Sequence, residues 1–283
     1  MTEVFDADSK DTNVSPVQTP NAKDVVETLN TRIRYSICTL VTNFEEYEEM
    51  RRTFARSGFV GSDCEYLFVN NASGNKADGY SGLNMFLNNA RGRYIILCHQ
   101  DVRVVHDDRA KLDAVIAELD SLDPNWGLLG NSGGIRPGKQ AARITDPFGD
   151  QHSGNLPARV FSLDENFILV RRDANLALSR DLGGFHMYAT DLCVVADFLG
   201  WRTYVVDFHL HHLSAGNKGT AFPAQRREMI AQYKRKLSHR LIKTPTTIVY
   251  LSNSALKNAV MNLHYVIRLL DIAGSRRKDP KGG

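Results

Sequence analysis

The chain has 283 residues, enough to bury one substantial core, and its 42% hydrophobic and 24% charged residues, without repeats or low-complexity tracts, exclude a disordered or fibrous protein. The net charge of +3 is uneven: from Pro223 onward 13 Lys/Arg face only Glu228, Asp271 and Asp279, while the residues before it hold 22 basic and 29 acidic groups. Such a basic tail implies an anionic partner, whether membrane lipid, a phosphorylated acceptor or another subunit.

Residues 1–23 are polar and acidic with two prolines and no apolar periodicity, which predicts a disordered arm and no export signal. No apolar run of about 18 residues follows, so no membrane span is expected. Cys38, Cys64, Cys98 and Cys193 are scattered without a CxxC pair, which excludes a zinc ribbon or disulfide framework and fits a reducing cytoplasm.

From Asp24 the pattern alternates. Tyr35 to Val41 reads as a strand, and Phe44, Tyr47, Met50 and Phe54 then mark a helix that Gly58 stops. Glu65 to Val69 is a second strand, Leu83, Phe86, Leu87 and Ala90 a second helix face, and Tyr94 to Cys98 a fully apolar third strand. Leu112, Val115, Ile116 and Leu119 mark a third helix, followed by a short strand around Trp126 to Leu129. This order predicts an α/β fold, a mostly parallel sheet with helices on both faces. The Gly-, Pro-, Asp- and Asn-rich stretch from Asn131 to Pro157 reads as long functional loops. A strand at Asn166 to Val170, a helix near Asp191 to Leu199 and a strand at Thr203 to Phe208 complete a body spanning 24–222. In the basic extension, 223–283, helices are expected at roughly 224–240 and 247–272.

Ligands of an open parallel sheet bind beyond the carboxyl ends of its strands. Here those ends carry Thr42-Asn43, Asn70-Asn71-Ala72-Ser73 and His99-Gln100-Asp101. The apolar run Tyr94 to Cys98 drives Asp101 to the end of a buried strand, where a carboxylate is costly unless it is paired or holds a cation. A hard divalent ion shared with a diphosphate would satisfy it, as would a salt bridge or helix cap. His209, His211 and His212 leave another strand, and imidazole beside Asp101 would favour manganese. Asp191 near a helix start fits either a general base or a complement to the helix dipole. Gly133 to Gln140 imitates a phosphate-binding loop but has Gln140 where Ser/Thr is needed, and no GxGxxG follows the first strand.

In this order the motifs resemble the Rossmann-like GT-A fold and, within it, inverting glycosyltransferase family 2, in particular its bacterial His-Gln-Asp-Val branch. The resemblance spans about Tyr35 to Gly216. It implies a nucleotide-contacting turn at Thr42-Asn43 and base contacts from Asn70 and Asn71, which stand where the family has acids. It further implies an approach helix with Gly82-Leu83-Asn84, whose Asn84 joins the donor site, and a metal motif at His99-Gln100-Asp101 with His99 in place of the first aspartate. Asp101 and His212, with His211 beside it, would hold Mn2+ or Mg2+, and Asp191 in Asp191-Leu192-Cys193 would be the catalytic base, with Asp164 or Glu165 as competitors. The implied reaction is inverting transfer from a nucleoside diphosphate sugar to a hydroxyl acceptor on a glycan, a lipid-linked carrier or a polysaccharide precursor. A sugar nucleotidyltransferase would carry a glycine-rich basic loop where Thr42-Asn43-Phe44-Glu45 stands, and a non-catalytic sugar-binding protein is the rival from another class. The apolar stripe from Ile248 to Leu270, with Arg226, Arg227, Lys234, Arg235 and Lys236 nearby, suits peripheral docking at the inner face of a membrane, a dimer interface or packing on the core. No nucleic-acid-binding module accompanies it.

Overall fold

The computed structural model describes residues 32–216 and 219–275. The arm expected at 1–23 lies outside them. β1 (Tyr35–Val41) is followed by α1 (Phe44–Arg56), whose first turn is fixed by the Asn43 side-chain Oδ1 accepting from the Glu45 and Glu46 amides. The helix ends where Gly58 takes φ 91°, a conformation that costs a side chain but not glycine. β2 (Cys64–Asn70) and α2 (Gly79–Asn89) come next, α2 being opened by a reciprocal Asp78–Ser81 capping box. β3 (Tyr94–Cys98), the short β4 (Val102–Arg103), α3 (Arg109–Leu122) and β5 (Trp126–Gly130) complete the first half.

The stretch read as loops is instead largely three strands, β6 (Ser132–Arg136), β7 (Lys139–Asp146) and β8 (Gly149–Ser153), and β9 (Ala158–Val160) and β10 (Ser162–Leu163) come after it. Its turn residues punctuate hairpins. Pro137-Gly138, with Gly138 at φ 75°, joins β6 to β7, and Gly149 at φ 114° follows the turn into β8. β11 (Phe167–Arg171), α4 (Tyr188–Phe198), β12 (Arg202–Val205), β13 (Leu210–His212) and α5 (Ala221–Lys236) follow. The helix expected over 247–272 begins later than read. β14 (Arg240–Lys243) and β15 (Ile248–Leu251) form a hairpin before α6 (Ala255–Met261) and α7 (His264–Ser275), because the β-branched run Thr246-Thr247-Ile248-Val249 suits a pleated strand.

The main sheet has the order β2-β1-β3-β11-β5-β12-β9. Pairings β1/β2, β1/β3 and β5/β12 are parallel, as alternation of strands and helices predicts. β11 runs antiparallel between β3 and β5, since no crossover helix returns the chain before it. Side-chain alternation divides β3 between two cores: Ile95 and Leu97 pack towards α2 and α4 with Leu83, Phe86, Leu192 and Ala196, while Tyr94, Ile96 and Cys98 face α1 and α3 with Met50, Phe54, Leu112 and Ile116. Helices thus cover both faces. Met229 and Tyr233 of α5 belong to the first core, and no described residue after Lys236 joins either core. A second sheet, β10-β6-β7-β13-β4 with β8 on the edge of β7, stands beside the strand ends.

Candidate active site

Strand order reverses between β1 and β3: β2 lies on one side of β1 and β3 on the other. The exits of β1 and β3 therefore diverge around a crevice. Gln100 bridges them, its Oε1 accepting from the backbone amides of Thr42 (2.9 Å) and Asn43 (3.0 Å) and its Nε2 donating to Thr42 Oγ1 and Glu46, both at 2.9 Å. A cleft of about 730 Å³ opens here, lined in part by Thr42, Asn71, His99, Gln100, Asp101 and His212.

Asp101 and His212 are 111 positions apart yet adjacent because the residues after Asp101 form β4, which pairs with β13: His212 lies opposite Val102, and the Leu213 amide donates to the Asp101 carbonyl at 3.1 Å. His212 Nε2 lies 3.3 Å from Asp101 Oδ1, and His99 Nδ1 lies 3.9 Å from the same oxygen. One ligand atom from each of the three falls within 4.8 Å of the others. Ligands about 2.1 Å from a common ion lie roughly 3 to 3.6 Å apart, so the trio fits a divalent cation after small adjustment.

The ionisation of Asp101 and His99 suits that fit, whereas a cation would have to displace the proton that Asp101 favours on His212. Burial works against the Asp101 carboxylate, but His212, the Ser214 hydroxyl and His99 outweigh it and hold Asp101 well below the usual carboxylate range. Burial lowers the His99 pKa, which keeps the imidazole neutral and able to donate a lone pair. Its Nε2 meets the Tyr188 hydroxyl at 2.7 Å, and that hydroxyl lies 3.4 Å from the Glu165 carbonyl oxygen. The chain of donors is consistent when His99 Nε2–H donates to Tyr188 and Tyr188 O–H donates to Glu165, leaving Nδ1 unprotonated and turned to Asp101. For His212, burial is overcome by Asp101, which raises its pKa.

Tyr188 reaches this place through a chain of local constraints. Asp78 caps α2 and also accepts from the Gly184 amide at 2.6 Å, which fixes the turn before α4. Met187 then takes the left-handed φ of 68°, strain for a side-chain-bearing residue that is found most often at functional sites. Gly79 has no alternative, because a Cβ there would lie 2.7 Å from the Tyr188 ring.

Because β11 is antiparallel, its entry lies beside the exit of β3; the His99 amide donates to the Asn166 carbonyl at 3.0 Å. This delivers Asp164 and Glu165 to the cleft wall. The Glu165 side chain is 22% exposed, and burial together with neighbouring Asp164 pushes it up to about 8 against the pull of the Met187, Tyr188 and Ala189 amides. Its Oε2 stands 3.9 Å from His186 Nδ1. The β7–β8 hairpin adds Asp146, Phe148 and Gln151, which the loop reading did not single out. Among the described lining residues are four carboxylates, Asp101, Asp146, Asp164 and Glu165, and no lysine or arginine.

Several expected site residues lie elsewhere. Asp191 is 0% exposed and is not in the cleft wall; its carboxylate accepts from the Ser179 amide (2.7 Å), the Ser179 hydroxyl (2.7 Å) and the Tyr233 hydroxyl (2.6 Å). Both of its oxygens are thus taken by the protein's own donors, away from the cleft in which a base was expected. Asn84 exchanges hydrogen bonds with the Leu178 backbone at 3.1 and 2.8 Å and is absent from the cleft wall. Asn70 closes a turn onto the Ala72 amide, and Asn71, although in the wall, spends its amide group on Lys76 and Ala77. Asn43 caps α1. His211 alternates to the face of β13 opposite His212 and stands outside the trio. Tyr188 carries no motif in the sequence; only the register that places Asp191 three residues into α4 could have pointed to it.

No family model matches the sequence. Among solved structures, the mannosyltransferase PcManGT of Pyrobaculum calidifontis, in complex with GDP-Man and Mn2+, is 14% identical, with 89% of this chain and 78% of that one covered and a TM-score of 0.47. S. aureus TarS 1-349 in complex with UDP-GlcNAc is 13% identical over 67% of this chain and 61% of that one, with a TM-score of 0.46. The curated protein "ATP synthase subunits region ORF 6" of Fuscovulum blasticum is 39% identical over 221 residues, 76% of this chain and 89% of its own length. At that identity and coverage, the chain belongs to the family of the Fuscovulum blasticum ORF 6 protein.

Proposed function

We propose that the protein is a metal-dependent glycosyltransferase of the GT-A, family 2-like type, transferring a sugar from a nucleoside diphosphate sugar to a hydroxyl acceptor with inversion. The observation that carries this reading is the trio of His99, Asp101 and His212 at the strand-order reversal, inside a cleft whose described wall holds four carboxylates and no lysine or arginine. A diphosphate cannot enter such a wall without a cation to offset the repulsion. The resident ion, Mn2+ or Mg2+, would be held by Asp101, His212 and His99 and would supply Lewis-acid neutralisation of the departing diphosphate.

The chain's own groups divide the remaining work. Gln100 locks Thr42 and the β1 exit against β3, which fixes the edge on which a nucleotide lies. The apolar floor of Leu40, Leu83, Phe86 and Leu97 offers a surface for the flat face of a base, in place of the polar base contacts first expected from Asn70 and Asn71. Tyr188 orients His99. Glu165, in the wall and poised near neutrality, removes the acceptor hydroxyl's proton, while Asp164 beside it raises its basicity. Asp191 serves instead as the anchor that ties α5 to α4.

Thermal shift with UDP, GDP and dTDP sugars, with and without Mn2+, tests the donor site, and slow release of free sugar tests catalysis. Stabilisation by a nucleotide sugar that needs Mn2+ and disappears in Asp101→Ala is the expected result. Binding indifferent to a chelator and to that substitution would remove the proposal's foundation.

A further inference from the structure

The surface beyond Lys236 has a character of its own. Ten of the 23 large apolar side chains exposed among the described residues lie between Leu237 and Ile272, including Leu251, Leu256 (74% exposed), Leu263, Tyr265 (71%) and Leu269. None of the α6 side chains is buried, and neither α6 nor α7 contributes to the two cores. A patch this dense is not the scattered exposure of an ordinary surface. Charge accompanies it: residues 237–275 hold Arg240, Lys243, Lys257 and Arg268 against Asp271, with Arg240, Lys257 and Arg268 exposed among the apolar groups. The sequence continues with Arg276, Arg277, Lys278 and Lys281.

We propose that the β14–β15 hairpin with α6 and α7 forms a docking surface for an anionic lipid bilayer. The combination selects this occupant. Apolar side chains mixed with cations suit the boundary between acyl chains and anionic headgroups, where both kinds of group gain at once. A two-fold dimer through the same face would set one cationic surface against its copy, with only Asp271 among 237–275 to offset it. A nucleic acid would satisfy the cations and leave the leucines unburied. Among the described residues no helix is long and apolar enough to cross a membrane, so the association is peripheral. The inference stands apart from the reaction proposed above, because it rests on none of the cleft residues.

Flotation of the full chain with vesicles of phosphatidylcholine alone, or mixed with phosphatidylglycerol, tests it. Binding to the mixed vesicles at low salt, little binding to the neutral ones and release as salt rises are expected. Leu256→Ser with Tyr265→Ser weakens partitioning at least about tenfold, and Lys257→Glu with Arg268→Glu weakens it about fivefold per site or more. Since all four side chains are exposed, unchanged melting temperatures will show that the fold survives. Absence of binding to anionic vesicles at low salt overturns the proposal. So do variants that bind as well as the parent, retention on duplex DNA without vesicle binding, or a dimer in sedimentation velocity that both pairs of substitutions dissociate.

Discussion

Replacing Glu165 by Gln should stabilise the protein by an amount that grows with pH. An acid whose pKa is raised on folding binds its proton more tightly in the native state, so its contribution is fully present below the unfolded value and is lost as pH rises through the folded one. For Glu165 that window runs from the usual 4.5 to about 8. At about 1.36 kcal/mol per pH unit, the penalty is roughly 2 kcal/mol at pH 6 and approaches an upper bound of roughly 5 kcal/mol above pH 8. Glutamine keeps an acceptor for the α4 amides and has no charge to desolvate. Urea unfolding of both proteins in EDTA, from pH 5 to pH 9, isolates the effect because the other titrating groups are shared. The stability gap should widen by roughly 2 to 3 kcal/mol between pH 6 and pH 8, a relative rise in melting temperature of roughly 4 to 12 °C for a domain of this size. A gap independent of pH would refute the assignment of a buried, hard-to-ionise carboxyl. Transfer activity should move the opposite way, rising with pH as Glu165 ionises and vanishing in Glu165→Gln, so the residue trades stability for chemistry.

Other consequences are more local. Tyr188→Phe removes the partner that orients His99 and should weaken Mn2+ binding about tenfold to a hundredfold by calorimetry, with little loss of fold; unchanged affinity would place His99 outside the metal's ligands. Asp191→Ala leaves the Ser179 amide and the Tyr233 hydroxyl without their acceptor and should cost about 3 kcal/mol in urea unfolding, whereas Asp191→Asn should retain most transfer per folded molecule. A folded Asp191→Asn protein devoid of activity would restore it as the base. Gln100→Ala cuts the tie between the β1 and β3 exits and should raise KM for the donor more than it lowers kcat; a pure kcat effect would show that Gln100 touches the transition state instead.

The sequence was legible where one physical preference ruled a segment. β3 is an unbroken apolar run and β1 a largely apolar, β-branched one, and α1, α2 and α3 announce themselves by apolar spacing. Asp101 followed from the same logic, as a carboxylate thrust out by an apolar strand. The hairpins β6 to β8 were hidden because Pro137-Gly138 and Gly149 serve turns and loops alike, and only pairing between strands separates the two. The β14–β15 hairpin was hidden because Ile248 and Leu251 fit a helical stripe as readily as a strand.

The placement of the two acids failed to show for a deeper reason. Asp191 and Glu165 both lie near an element's start, and what separates their surroundings is the direction of β11. Running antiparallel, β11 brings its first residues to the exit of β3, whereas α4 turns Asp191 inward to Ser179 and Tyr233. Had β11 entered from the other end, Arg171 rather than Phe167 would stand beside Cys98, and Glu165 would lie a full strand length from His99, Asp101 and His212. The site therefore depends on strand polarity, a property set by the connection that precedes the strand. No local pattern in Asp164-Glu165-Asn166-Phe167 encodes it.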